Sequence, residues 1–131
     1  MAESTRGLLD TSVLVDYDQV DSARLPDESA IAAVSLAELA AGPHAVRDSA
    51  ERARRQDWLQ WAAATWDAIA FDEAAARSYG RVYAASRAAG RTRRARPADL
   101  LIAATAAGSF PCQPRPMRRL ARASKIFRHA L

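Results

Sequence analysis

Short apolar runs alternate with helix-period stretches along this sequence, and that alternation leaves little choice of fold class. Residues 7–10 read as a short buried strand, and residues 12 to about 18 as a helix leaving its carboxyl end. A second strand is expected over 30–34, followed by a helix from 35 to about 41 that Gly42-Pro43 ends. A long helix over 48–64 carries Trp58 and Trp61, and 66–71 reads as a third strand. Asp72-Glu73 open a helix that passes Tyr79 and Tyr83 and closes at Ala89-Gly90; Pro97 opens another that runs to Ala107. Strands separated by helices pair in parallel through right-handed crossovers, so the expected class is α/β with a covered, mainly parallel sheet.

A chain of 131 residues with half of them apolar is large enough to bury one core without disulfides, so a single domain over 1–131 is expected. Cys112 is the only cysteine, which excludes an internal disulfide and any paired-cysteine metal or redox site and fits a reducing, cytoplasmic setting. No apolar stretch approaches the ~18 residues of a membrane span, and no basic flank precedes an apolar run near Met1, so neither membrane insertion nor export is expected. All the acidic residues lie at or before Asp99, whereas Arg115, Arg118, Arg119, Arg122, Lys125 and Arg128 follow it. Such a basic end favours polyanionic partners.

Three carboxylates stand at the mouths of apolar elements: Asp10 after the first strand, Glu38 in Ser35-Leu36-Ala37-Glu38, and Asp99 in the first turn after Pro97. Carboxylates in apolar surroundings call for pairing or a cation, and in parallel sheets ligands bind beyond the carboxyl ends of the strands. Each also has a structural reading. Asp10 suits a turn before a helix, Glu38 has capping-box spacing to Ser35, and Asp99 suits the positive end of a helix dipole.

The strings Leu-Leu-Asp-Thr-Ser-Val-Leu-Val-Asp (8–16), Ser-Leu-Ala-Glu-Leu (35–39) and Ala-Asp-Leu-Leu-Ile-Ala-Ala-Thr-Ala (98–106), in this order and separation, resemble the PIN-domain ribonucleases, most closely the VapC toxins of VapBC toxin–antitoxin pairs. The resemblance spans residue 7 to about 107. It implies a three-layer α/β/α sandwich, usually dimeric, in which Asp10, Glu38 and Asp99 are catalytic, metal-binding carboxylates converging on one Mg2+ or Mn2+, with Ser12 supporting the metal site. It further implies cleavage of RNA leaving a 5′-phosphate and a 3′-hydroxyl, and restraint by a VapB-like antitoxin. The chemistry is coherent: a hard divalent cation takes oxygen ligands and bridges phosphate oxygens, and it lowers the pKa of a bound water for in-line attack.

The family's usual fourth acid, in an Asn-x-x-Asp-Phe-like motif about twenty residues after the third, has no counterpart here. Residues 108–131 instead form a divergent basic tail in which Pro111, Pro114 and Pro116 disfavour a central strand and 117–131 read as a helix. Two functions therefore stand side by side: a metal-dependent endoribonuclease toxin, or a catalytically weak PIN module that binds antitoxin or RNA without turnover. A phosphatase using Asp10 as nucleophile is excluded, because Ser12 stands where its general-acid aspartate belongs. Arg91, Arg93, Arg94 and Arg96 adjoin Asp99 and are expected to grip RNA phosphates. Trp58, Trp61 and Trp66 read as core or partner-facing rather than base-stacking, Tyr79 and Tyr83 as core, and His44 as a surface or capping residue.

Overall fold

Five helices and three short strands follow one another in the computed structural model, which describes residues 5–90, 96–109 and 118–119. Strand β1 (Arg6–Leu9) pairs in parallel with β2 (Glu28–Ile31), Arg6 opposite Glu28 and Leu9 opposite Ile31. Between them lie α1 (Thr11–Val15) and two single turns of 3-10 helix, Tyr17–Gln19 and Ser22–Arg24. After β2 come α2 (Ala33–Ala41), a 3-10 turn at Gly42–Ala45, α3 (Ser49–Thr65), α4 (Glu73–Ala88) and α5 (Pro97–Ser109). This is the expected α/β order with a mainly parallel sheet.

Local chemistry explains the helix ends. The carboxylates of Asp48 and Asp72 accept the amides of Glu51 and Ala75 at 2.8 and 3.0 Å, so α3 and α4 begin with side-chain caps. Gly90, at φ 70°, closes α4 in the left-handed region that glycine enters without penalty. Helix α1 stops at Val15, shorter than the period suggests, because the chain turns at Asp16 and sends Tyr17 inward. There Tyr17 meets Trp61 and Trp66 with ring centroids at 5.0 and 6.0 Å, and the two indoles stand edge-on at 5.1 Å. Trp66 is buried and donates its indole N–H to Ser29 Oγ at 2.9 Å. The aromatic group belongs to a core built from Leu9, Leu14, Ile31, Leu39 and Ala62, so Trp61 and Trp66 serve packing, as expected, whereas half-buried Trp58 lies under the guanidinium of Arg54.

Four expectations are corrected. The third strand over 66–71 contracts to a single parallel bridge, Ala32 opposite Ile69, because Trp66 still closes α3 and Asp72 already caps α4. Helix α2 starts at Ala33 rather than Ser35, with Ala32 as its cap, so no Ser35–Glu38 capping box forms. Ser35 is instead fully buried, and its hydroxyl has no hydrogen-bond partner among the described residues. Tyr83 is 40% exposed beside Tyr79 on the surface of α4, not in the core. Within the basic tail, Arg118–Arg119 form β3, antiparallel to β2, where a helix was expected. The reason is edge satisfaction: β1 occupies one side of β2, and a short antiparallel pair engages backbone groups on the other. Gly108 and Ser109 end α5, and 110–117 and 120–131 lie outside the described residues.

Burial pushes the Tyr17 phenol above its ordinary value, and the charge of Asp18 adds to the effect. Raising the folded value means that the native state keeps its proton where the unfolded chain has lost it. Stability contributed by this group is therefore intact below about pH 10 and declines as pH rises through the folded value. Phenolate absorbance during alkaline titration of the native protein is expected to show one late-titrating tyrosine that Tyr17→Phe removes.

Candidate active site

The site begins where the two parallel strands end. Leu9 and Ile31 are register partners, so the residues after them emerge side by side at the carboxyl edge of the sheet. Asp10 follows Leu9 and is the N-cap of α1; one of its oxygens, Oδ1, accepts the Thr11 amide at 2.7 Å. Its other oxygen, Oδ2, accepts the Ser12 hydroxyl at 3.1 Å. Glu38 arrives from α2, which packs against α1. Its Oε1 accepts the Thr11 hydroxyl at 2.6 Å, a short charge-assisted bond. Asp10 and Glu38, far apart in sequence, are thus joined through one intervening residue.

Asp99 stands on α5, which packs against α2 and α4. It is exposed, and its Oδ2 accepts the backbone amide of Arg96 at 3.2 Å, the reach-back half of a capping box on its own helix. Among the described residues no group of three His, Cys, Asp or Glu side chains is gathered closely enough to hold a metal ion. The structure therefore brings Asp10 and Glu38 together and leaves Asp99 turned to its own helix terminus. The physical reason is that like-charged carboxylates repel, and each settles on the nearest donor. Arg96 is exposed immediately before α5, whereas Arg91, Arg93 and Arg94 lie outside the described residues. His44 is exposed at the 3-10 turn, a surface residue as expected.

The donor set suits a hard cation in kind. Every side chain gathered here offers oxygen, none sulfur or imidazole nitrogen, and a carboxylate has about four lone-pair positions, so the bonds from Thr11 and Ser12 leave acceptor capacity on Asp10 and Glu38. Thr11 is the residue that sequence reasoning missed. Its only signal was a hydroxyl between Asp10 and Ser12, and nothing local in the chain shows that Glu38 lies opposite.

No family model matches the chain. Individual proteins do. Ribonuclease VapC8 of Mycobacterium tuberculosis (strain ATCC 25618 / H37Rv) is 43% identical over 101 residues, covering 76% of this chain and 89% of that protein. Ribonuclease VapC5 of the same strain is 38% identical over 104 residues, 77% of this chain and 75% of that protein. A crystal structure of VapBC-5, a member of the VapBC family of toxin–antitoxin systems from Mycobacterium tuberculosis, superimposes with a TM-score of 0.70 at 38% identity, covering 79% of each chain. With strand ends, helices and an acidic pair in the order that the three motifs imply, and with relatives this similar over most of their length, the chain belongs to the VapC ribonucleases of the PIN-domain fold.

Proposed function

We propose that this protein is a metal-dependent endoribonuclease, the toxin of a toxin–antitoxin pair, and that a VapB-like antitoxin restrains it. The observation that supports this reading most directly is the joining of Asp10, at the carboxyl end of β1, to Glu38 of α2 through the two hydrogen bonds of Thr11. The relatives named ribonucleases and the VapBC neighbour support the activity and the partner class. The alternative, a PIN module without efficient turnover, is not favoured, because Asp10, Glu38 and Asp99 are all present.

Asp10 and Glu38 would hold Mg2+ or Mn2+, and Asp99 is the third carboxylate of the set. When bound, the ion supplies Lewis-acid stabilisation of the phosphorus centre and a water of lowered pKa for in-line attack. Thr11 and Ser12 hydrogen-bond the two carboxylates that would hold the ion. Arg96, and with it in sequence Arg91, Arg93 and Arg94, would hold RNA phosphates; these are sequence-independent contacts that position the strand. The products would be a 5′-phosphate and a 3′-hydroxyl. We further propose that the protein works in the cytoplasm as a homodimer. The chain offers no acid beyond Asp99, so ion affinity is expected to be below that of a four-carboxylate site.

The test is cleavage of total RNA by the pure protein with Mg2+ or Mn2+, with excess chelator and with Asp10→Asn. Fragments that require the ion and disappear with Asp10→Asn are the expected result. Fragments that persist in both controls would show that this site does not cut RNA.

A further inference from the structure

We propose that Thr11 is a positioning residue that ties Asp10 and Glu38 into one preorganised pair for the cation; this rests on the metal-dependent reading above. Thr11 donates in two directions. Its backbone amide holds Asp10 Oδ1 at 2.7 Å, and its hydroxyl holds Glu38 Oε1 at 2.6 Å. No other hydrogen bond given by the described side chains spans these two carboxylates: Ser12 acts on Asp10, and Arg96 acts on Asp99.

The arrangement has an electrostatic purpose. Two carboxylates on neighbouring elements repel, and a glutamate side chain has the rotamer freedom to swing away. A donor between them offsets part of the charge on each and fixes Glu38 before the ion arrives. Threonine suits the task because branching at Cβ restricts χ1, so the hydroxyl is aimed by few rotamers. Thr11 is the first residue of α1, next to the N-cap, so the start of the helix also fixes its amide. Hydrogen-bonding partners that orient metal ligands in this way typically contribute 10- to 100-fold in affinity.

The experiment is calorimetric Mn2+ titration of the full chain as wild type, Thr11→Val and Thr11→Ser, with thermal unfolding of each metal-free protein as a check on the fold. Thr11→Val is nearly isosteric but cannot donate, and is expected to weaken Mn2+ binding about 10- to 100-fold. Thr11→Ser keeps the donor and is expected to restore most of that loss. RNA cleavage by Thr11→Val, low at limiting Mn2+, is expected to recover at saturating Mn2+, a rescue that a merely structural role would not produce. Should valine disturb α1, Thr11→Ala gives the same comparison without the branched side chain. Wild-type affinity in Thr11→Val would overturn the assignment while leaving the metal-dependent reading standing. So would equal weakening in Thr11→Val and Thr11→Ser, because the methyl group and not the hydroxyl would then matter. Failure of the wild-type protein to bind Mn2+ would overturn the metal-dependent reading and the role of Thr11 with it.

Discussion

Asp99→Asn is expected to lower RNA cleavage by about 10²–10³, the loss typical when one preorganised electrostatic partner of a reacting group is removed, while barely moving thermal stability. The two effects separate because Asp99 has two possible roles. As a cap, it accepts the Arg96 amide at 3.2 Å, and asparagine retains a carbonyl oxygen able to accept the same bond. What asparagine lacks is the negative charge. At an exposed helix N-terminus that charge contributes roughly 0.3–1 kcal/mol through the dipole, and this bounds the expected loss of stability. As a metal ligand, by contrast, the charge is the function, because a neutral amide neither offsets the ion nor joins an acidic set. Cleavage assays at saturating metal, together with metal-free thermal unfolding, distinguish the two. Undiminished cleavage with a fall in stability above about 2 kcal/mol would reduce Asp99 to a helix cap, since that exceeds the dipole contribution.

Gly108→Ala is expected to destabilise the protein, and Gly80→Ala to stabilise it, although both glycines lie inside helices. Alanine in place of a helical glycine ordinarily gains up to about 1 kcal/mol. At Gly80 nothing lies within 4 Å of the added methyl, so that gain stands alone. At Gly108 the methyl would lie 2.7 Å from the backbone nitrogen of Ala75 and 2.8 Å from the carbonyl carbon of Ala74. These are main-chain atoms of the first turn of α4, which Asp72 caps, so they cannot yield as a flexible side chain would. Overpacking of this kind costs typically 1–3 kcal/mol, enough to exceed the propensity gain, and it forces α4 and α5 apart. For a domain of this size each kcal/mol moves the melting temperature by roughly 4 °C. A fall of several degrees for Gly108→Ala and a rise of a few for Gly80→Ala is the expected calorimetric result. Equal shifts at the two positions would contradict the close α4–α5 contact. Activity should follow stability here, because α5 carries Asp99 and packs on α2, which carries Glu38.

Much of this molecule is determined locally and was therefore legible in the chain. The alternation of apolar runs and helix-period stretches implied parallel pairing, and β1 and β2 pair in parallel. Asp48, Asp72, Gly90 and Pro97 punctuate the helices as their chemistry requires, because a cap or a left-handed turn depends on neighbours within a few residues. The three acidic motifs likewise pointed to a family before any geometry was known. Tertiary structure decided what depends on partners far along the chain. It reduced the segment before Asp72 to one bridge and drew Arg118–Arg119 onto the edge of β2. Spacing alone placed the capping box at Glu38, yet the reach-back bond forms at Asp99, because α2 starts two residues early and frees Glu38 to face α1. Above all, only the folded chain sets Thr11 between Asp10 and Glu38, since a hydrogen bond across 27 positions of sequence leaves no local trace in either segment.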